Sequence, residues 1–201
     1  MDGYVKVPLK KLLAQIGEDN VMTILSDFSC PINLDIEYFL KKKAIEFEKQ
    51  GISATHLIFT SYKSENVLVG YYTLSTKAFN VTKSSISKSL SKRINKFATF
   101  DSSLKAYFLP APLIAQLGKN FTNDYNALIS GDELLAIAIE DVKLIHQIAG
   151  GKIVYLECED KPRLVEFYSN NGFVVFGNRS LDRDETNLSG EYLVQMLRYI
   201  S

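Results

Sequence analysis

Residues 150–177, GGKIVYLECEDKPRLVEFYSNNGFVVFG, decide the fold because they predict a strand, a helix and a second strand in succession. Lys152 to Cys158 is a short apolar run rich in β-forming residues, and its lack of strict alternation indicates a strand covered on both faces. Asp160-Lys161-Pro162 then predicts a helix start. An acid can cap unpaired N–H groups there, and proline lacks the N–H that a first turn leaves unpaired.

The end of this stretch predicts the remainder of the helix and the second strand. Apolar residues recur at helical spacing through Phe167 and Tyr168, and Asn171-Gly172 tolerates the left-handed conformation that ends a helix. Phe173 to Phe176 predicts the second strand. This order, and EFYSNNGFVVFG in particular, resembles the acyl-CoA-binding C-terminal motif of the GNAT superfamily of N-acetyltransferases. The resemblance implies an α/β (α+β) GNAT fold, with a central mixed, mostly antiparallel sheet that is flanked by helices and splayed between its fourth and fifth strands.

An earlier segment is similar to the fourth strand of that fold. Leu109 to Asn120, LPAPLIAQLGKN, keeps the family's register, with Gln116 where arginine is common. The resemblance implies that acetyl-CoA is the cofactor and that its pantetheine pairs with exposed backbone groups as an added strand would. Leu117, Gly118 and Lys119 are expected to present those groups.

The next segment resembles the family's pyrophosphate loop, which presents backbone N–H groups to the cofactor at a helix N-terminus. Within Tyr125 to Leu135, Gly131 matches the pattern, whereas Asn126 stands at the usual Gln/Arg position and Ile129 at the first glycine. An isoleucine makes any positive φ expensive, which leaves open either the loop geometry or the tightness of cofactor binding. Leu134 to Ala149 predicts the helix that follows. The cofactor-binding residues implied in the loop are Asn126, Leu128, Ile129, Ser130, Gly131 and Asp132.

The N-terminal half resembles one branch of the superfamily. Phe28 to Leu40, Gly51 to Thr55 and Val69 to Ser75 are similar to a branch that includes the acetylating toxins that modify aminoacyl-tRNA. Pro31 stands where that branch usually has glycine, and Tyr38 where tryptophan is common. The toxin reading adds aminoacyl-tRNA as a possible acceptor and an antitoxin as a possible partner.

The first residues have no counterpart in the family. We expect an N-terminal helical extension over residues 1–25 and a GNAT acetyltransferase domain over residues 26–201, which ends in a strand over Tyr192 to Ile200. The apolar stripe of residues 1–25 needs a partner, which is either the domain itself or a second subunit; antitoxin docking and homodimer formation both stay open. No apolar run approaches the roughly 18 residues that span a bilayer, and no signal-peptide h-region is present, so we expect a cytoplasmic protein without membrane contact.

The predicted chemistry is direct attack of an amine on the acetyl thioester, which needs a deprotonated amine, a donor to the oxyanion and an acid for the leaving thiolate. Tyr168 matches the family's thiolate-protonating tyrosine. A phenol of pKa about 10 can protonate a thiolate whose conjugate acid has a pKa of about 8.5 at a cost of about 2 kcal/mol. The alternative is that Tyr168 is a core residue with its hydroxyl at the rim.

Other candidate side chains have two readings each. Glu157 and Glu159 are candidates for the general base or are solvated strand residues. Lys161 stands where the family often has an asparagine facing the cofactor, so it is either a cation near phosphate or a surface lysine. Cys30 and Cys158 have no metal spacing, which predicts free thiols, and no metal site is expected.

The identity of the acceptor amine depends partly on charge. The chain has 23 Lys and Arg against 23 Asp and Glu, and zero net charge argues against a grip on a polyanion. Residues 77–100, however, contain no acid, and the spacing of Ile86, Leu90 and Ile94 predicts an amphipathic helix with a basic side. This side is either a tRNA contact or a solvated face. The basic residues of the segment are Lys77, Lys83, Lys88, Lys92, Arg93 and Lys96.

Three functions therefore stay open at the level of sequence. The first is an N-acetyltransferase acting on a small-molecule or peptide amine. The second is a GNAT-type toxin that acetylates aminoacyl-tRNA. The third is a non-catalytic acyl-CoA-binding module, which the irregular pyrophosphate loop motivates.

Overall fold

The computed structural model describes residues 3–181 and 190–200. The strands are β1 (Tyr4–Pro8), β2 (Ala54–Tyr62), β3 (Glu65–Thr82), β4 (Thr99–Asp101), β5 (Ala106–Lys119), β6 (Ile153–Glu159), β7 (Val174–Ser180) and β8 (Tyr192–Tyr199). The α-helices are α1 (Leu9–Ile16), α2 (Glu18–Ser26), α3 (Leu34–Tyr38), α4 (Ala44–Gln50), α5 (Lys88–Ile94), α6 (Gly131–Ala149) and α7 (Pro162–Asn170). A π-helical turn, Phe39–Lys43, joins α3 to α4, and 3₁₀ turns cover Lys83–Ser85 and Thr122–Leu128.

The strands form one eight-stranded mixed sheet in the order β1-β2-β3-β5-β6-β8-β7, with β4 paired to β5. The pairs β1/β2, β2/β3, β4/β5, β6/β8 and β7/β8 are antiparallel. The pair β5/β6 is parallel and extends over Leu113 with Tyr155 and Ile114 with Leu156, whereas β5 itself continues to Lys119. The predicted mixed, mostly antiparallel sheet is confirmed.

Contacts between residues divide the chain into two compact units. Unit 1 comprises residues 1–75 and 115–139, and unit 2 comprises residues 76–114 and 140–201. None of the helices within residues 3–181 and 190–200 combines the length and hydropathy that crossing a bilayer requires.

The N-terminal segment of unit 1 differs from its prediction at one end. Tyr4–Pro8 form a strand, because their backbone groups pair in register with β2 from Thr60 to His56. The two helices α1 and α2 follow. Leu9, Val21 and Leu25 are buried in the same cluster as Phe28 and Tyr71, so the apolar stripe packs against the core of unit 1 itself.

The basic helix of unit 2 is shorter than the spacing of its apolar residues indicates. Lys77 lies in β3, α5 begins after the N-cap Ser87, whose hydroxyl accepts from Leu90 N at 3.2 Å, and Lys96 follows the end of the helix. The predicted amphipathic helix is therefore present, but it covers only Lys88–Ile94 and leaves Ile86 and Lys96 outside. The apolar spacing was informative nonetheless, because Ile94 is buried in the core and both Ile86 and Leu90 pack against the same cluster.

Candidate active site

The predicted pyrophosphate loop lies in unit 1 between β5 and α6. Ile129, at the place where the family has its first glycine, is buried and adopts an extended backbone with φ −145° and ψ 136°. The left-handed conformations of this loop fall instead on Asn123 (φ 50°) and Asp124 (φ 59°), residue types that tolerate them. The isoleucine therefore introduces no backbone strain.

The side chain of Lys119 hydrogen-bonds to the main chain of this loop. Its ammonium donates to the carbonyl of Asn126 at 2.9 Å and to the carbonyl of Ile129 at 3.1 Å. The family resemblance implies only a main-chain role for Lys119, and a side-chain position in the motif for Asn126. In the structure the charge of Lys119 also organises the loop, and Asn126 contributes its carbonyl.

The N-terminus of α6 is closed by a reciprocal capping box. The Ser130 N–H donates to Glu133 Oε2 at 2.8 Å, and the Glu133 N–H donates to Ser130 Oγ at 3.1 Å. The Tyr4 hydroxyl lies within hydrogen-bond distance of both the Leu128 carbonyl, at 3.0 Å, and Glu133 Oε1, at 3.2 Å. The hydrogen bonds from Ser130 hold the pKa of Glu133 below its ordinary value, so the carboxylate is charged at neutral pH. An anion that binds at the N-terminus of α6 is therefore repelled by the Glu133 carboxylate.

Tyr168 lies in unit 2 on α7, with 9% of its surface exposed. Its ring packs edge-on against Phe167 at 4.9 Å and Phe173 at 5.8 Å between centroids. Burial, with the nearby Cys158 adding to it, raises the pKa of the Tyr168 phenol well above its ordinary value. A phenol is already neutral at physiological pH, and the raised pKa of Tyr168 keeps the proton in place while making its donation to a thiolate costlier than from a free phenol.

The start of α7 differs in one detail from its prediction. Lys161 is the N-cap residue and its side chain makes no cap, whereas Asp160 accepts a hydrogen bond from the Tyr192 hydroxyl at 2.6 Å. The proline explains the shift, because the residue before a proline is driven to an extended backbone. Lys161, which has φ −113° and ψ 120°, must therefore precede the helix, and Asp160 stands one residue too early to cap it. Pro162 occupies the first turn as predicted.

Glu157 is a paired carboxylate inside β6. Its Oε2 accepts from Arg179 Nε at 2.9 Å, and its Oε1 accepts from Gln195 Nε2 at 2.8 Å. Its side chain is 10% exposed. A carboxylate held in this way is well oriented, and each of its oxygens keeps a second lone-pair position for another donor.

Three solved structures resemble this chain over most of its length. AtaT complexed with acetyl-methionyl-tRNAfMet shares 18% identity over 85% of each chain, with a TM-score of 0.58. A tyrosine-to-phenylalanine mutant of KacT shares 16% identity over 96% of this chain and 94% of its own, with a TM-score of 0.61. The chain has the GNAT fold. A tyrosine-to-phenylalanine mutant of the AtaT toxin, bound to the C-terminus of the antitoxin AtaR and acetyl-CoA, shares 16% identity over 98% of this chain and 94% of its own, with a TM-score of 0.59. No protein-family profile and no curated protein sequence matches the chain.

Within this GNAT fold, the predicted site residues fall into two groups. Unit 2 contains Tyr168, Glu157 and Lys161. Lys161 donates to Glu159 Oε2 at 2.7 Å, so its charge compensates a glutamate whose side chain is only 6% exposed. Unit 1 brings together Leu117, Gly118, Lys119, Asn126, Leu128, Ile129, Ser130, Gly131 and Asp132.

Asn120, a residue to which the sequence pattern gives no role, anchors the start of the loop. This residue is 2% exposed, and its amide donates to the Leu68 carbonyl at 2.8 Å while its Oδ1 accepts from Ser29 N at 3.0 Å and Thr122 N at 3.1 Å. Nothing in the local sequence distinguishes such an asparagine from a surface one. The Ser-x-x-Glu spacing of Ser130 and Glu133, in contrast, is a helix-start signal that can be recognised in the sequence.

Gly118 has a steric reason to be glycine. A Cβ at this position would stand 2.3 Å from the Ile36 side chain and 3.3 Å from Tyr71. Any other residue at this position would therefore force the Ile36 side chain to move. Cys30 and Cys158 are buried free thiols, as predicted, and burial raises the pKa of each to about 11. Both are protonated at neutral pH, which suits core residues better than nucleophiles.

Proposed function

We propose that this chain is an acetyl-CoA-dependent N-acetyltransferase whose acceptor is the α-amine of an aminoacyl-tRNA. The observation that carries the proposal is the GNAT fold with a buried, neutral tyrosine, Tyr168, in the FYxxxGF-like segment. The acceptor class is supported by the likeness to AtaT, which was solved with acetyl-methionyl-tRNAfMet. A protein with this acceptor acts in the cytoplasm.

The loop of unit 1 is proposed to hold the cofactor. The extended backbone of Ile129 and the ammonium of Lys119 fit a phosphate-bearing group, whereas the Glu133 carboxylate opposes one. The main chain of Leu117, Gly118 and Lys119 is proposed to pair with pantetheine. Acetyl-CoA, when bound, supplies the activated acetyl group.

Tyr168 is proposed to donate the proton that the transfer requires. The amine nitrogen forms a bond to the acetyl carbon, the bond from that carbon to sulfur breaks, and the Tyr168 hydroxyl gives its proton to the sulfur. The amine must lose a proton as well, and Glu157 remains the candidate base. Arg179 and Gln195 each donate to a different oxygen of Glu157, which leaves a second lone-pair position on each oxygen for the amine or for a bridging water.

The basic surface of unit 2 supports an RNA acceptor. The side chains of Lys83, Lys88, Lys92 and Lys96 are exposed, and so are the rings of Phe97 and Phe100. Cations contact phosphates, and exposed aromatic rings stack on bases, so the two together suit RNA better than either does alone. An antitoxin is proposed as a protein partner, since an AtaT mutant toxin was solved with the C-terminus of its antitoxin AtaR.

A second candidate function is a non-catalytic acyl-CoA-binding or interaction module. The capping box favours it, because Glu133 already occupies the N–H of Ser130 that a pyrophosphate would use. This candidate predicts no acetyl transfer to any amine, even where acetyl-CoA binds.

The test compares the wild type with Tyr168→Phe in two assays. Isotope-labelled acetyl transfer to charged tRNA is expected to fall by about 10²- to 10⁴-fold in Tyr168→Phe, while acetyl-CoA affinity measured by calorimetry is retained. Tyr62→Phe, which removes a hydroxyl from a half-buried tyrosine of unit 1 but keeps the ring that packs against Tyr125, is the control and should keep full transfer. Expression of the wild type should arrest growth, and expression of Tyr168→Phe should not. Cofactor binding without transfer to charged tRNA or simpler amines would establish the module instead.

A further inference from the structure

A cavity of ≈ 270 Å³ lies in unit 2, lined by residues of β3, β5, β6, β7 and β8. Its wall is aromatic on one side, where the rings of Phe79 and Tyr155 pack with centroids 4.1 Å apart and Phe108 is 38% exposed. A volume of this size accommodates one ring or one branched aliphatic group together with a small polar substituent. None of the roles proposed above for the chain uses the aromatic wall.

The hydroxyl of Tyr155 is the feature that points to a ligand. The residue is 0% exposed, and its hydroxyl has no hydrogen-bond partner among the described residues. Buried polar groups are nearly always paired, because leaving one unpaired is costly. Burial, with Glu157 adding to it, raises the pKa of Tyr155 well above its ordinary value, so the phenol stays protonated. It therefore offers a donor and needs an acceptor atom.

The charged residues that line the cavity determine which kind of hydrogen-bond acceptor the Tyr155 hydroxyl would bind best. Glu157 is the carboxylate of the cavity, and Arg179 and Gln195 already satisfy it. Lys77 adds a second cation at the exposed rim, which leaves the lining with two positive charges against one negative charge. An anionic oxygen is favoured over a neutral one, and an ammonium is disfavoured.

We propose that this cavity binds a carboxylate carried on an aromatic or branched aliphatic group, with the Tyr155 hydroxyl donating to the carboxylate and Lys77 compensating its charge. The apolar group packs against Phe79 and Phe108. Glu157, the candidate base of the proposed function, also lines this cavity, but carboxylate binding is measured without acetyl transfer and is therefore tested separately.

Three related probes test the charge preference by calorimetry: phenylacetate, its neutral methyl ester, and phenethylamine. Phenylacetate is expected to bind at least fivefold more tightly than the ester, and phenethylamine to bind most weakly. Lys77→Gln should lower the affinity for phenylacetate about threefold without changing that for the ester, whereas Lys88→Gln, on α5, should change neither. Equal binding of phenylacetate and phenethylamine, or no binding of phenylacetate at millimolar concentration, would overturn the proposal.

The hydroxyl of Tyr155 has a sharper test, because its removal should have opposite effects on stability and on binding. Tyr155→Phe removes an unpaired buried hydroxyl, so the thermal midpoint without ligand should be unchanged or higher, while phenylacetate affinity falls about fivefold. Tyr107→Phe is the control: it is buried in the same core, but its hydroxyl pairs with Ser91 Oγ at 2.7 Å. That change should lower the thermal midpoint and leave phenylacetate affinity intact. A Tyr155→Phe variant with unchanged phenylacetate affinity contradicts the role assigned to the hydroxyl.

Acetyl-CoA titrations of the same variants separate this inference from the proposed function. Tyr155→Phe and Lys77→Gln should bind acetyl-CoA like the wild type, because the proposed cofactor loop belongs to unit 1. Loss of phenylacetate binding with intact acetyl-CoA binding confirms the cavity as the site. Loss of both would assign the effect to a damaged fold and refute a specific role for these side chains.

Discussion

Glu133 is the residue whose charge most directly opposes the proposed cofactor. Its carboxylate accepts from the Ser130 N–H at the start of α6, where a pyrophosphate would otherwise be bound. Glu133→Gln keeps a side chain that can accept the same hydrogen bond but removes the negative charge. Acetyl-CoA affinity should therefore rise by about fivefold at low salt, while the free energy of unfolding falls by about 0.5 kcal/mol because the helix dipole loses a favourable charge.

The matched control for this prediction is Glu140→Gln. Glu140 lies on the same helix but far from its N-terminus. Its Oε1 atom is 2.7 Å from Lys143 Nζ. It should leave acetyl-CoA affinity unchanged. If calorimetry shows the same affinity for Glu133→Gln and the wild type, the loop binds phosphate elsewhere or not at all.

The two buried thiols should make the folded state less stable at alkaline pH. Burial raises the pKa of Cys30 and Cys158 from 9.0 to about 11, so each thiol stays protonated in the folded chain while it ionises in the unfolded chain. The unfolded state therefore binds fewer protons in this range, and the contribution to stability is complete below pH 9 and lost as the pH rises toward 11. Thermal midpoints of the wild type should fall across this window.

Alanine variants identify the source of that loss. Cys158→Ala and Cys30→Ala should each have a lower thermal midpoint at pH 8, because a buried group is removed, but a shallower decline between pH 9 and pH 11. The double variant should decline least. Parallel declines in all four proteins would show that other groups govern the alkaline loss of stability.

RNA binding by unit 2 can be tested at helix α5. Lys88 and Lys92 lie on the helix and Lys96 just beyond it, and all three are exposed on unit 2. Replacing all three by glutamine should weaken binding of charged tRNA. The plot of log affinity against log salt concentration should become less steep by roughly one unit for each lysine that contacts a phosphate.

The control for α5 replaces the exposed lysines Lys10, Lys11 and Lys42 of unit 1 by glutamine, which changes the net charge equally. A filter-binding titration at several salt concentrations distinguishes the two triple variants. If both lose affinity to the same extent, net charge accounts for the effect and α5 is no specific contact. If neither does, the basic segment is a solvated face.

The elements also show what the sequence was able to predict. The strand, helix and strand of residues 150–177 were predictable because propensity, proline and glycine agree there, and β6, α7 and β7 follow that order. Strand β1 was missed, because five residues carry too little periodicity to reveal a strand that depends on pairing with β2. The length of α5 was overestimated for a related reason: the four-residue spacing marks core contacts at Ile86 but cannot show that the helix begins after Ser87.

The candidate site was predictable in its positions and less so in its contacts. Motif spacing indicated Gly118 and Tyr168, and the structure supplies a steric reason for the first and a neutral phenol for the second. Contacts between residues far apart in sequence were invisible, such as Tyr4 beside Glu133 or Arg179 bonded to Glu157. Such pairs arise from the fold, and no local pattern encodes them.

At the scale of the whole molecule, binding of acetyl-CoA should stabilise the folded state by mass action. A ligand at 100 times its dissociation constant stabilises by about 2.7 kcal/mol, which for a chain of this size raises the thermal midpoint by roughly 5–10 °C. Tyr168→Phe should show the same rise, because it removes a proton donor and leaves the loop of unit 1 intact. Glu133→Gln should show a larger rise at equal acetyl-CoA concentration, since its affinity is higher. A thermal midpoint that does not respond to millimolar acetyl-CoA in any of the three proteins would exclude both the transferase and the acyl-CoA-binding module, and would leave the GNAT fold serving a function without this cofactor.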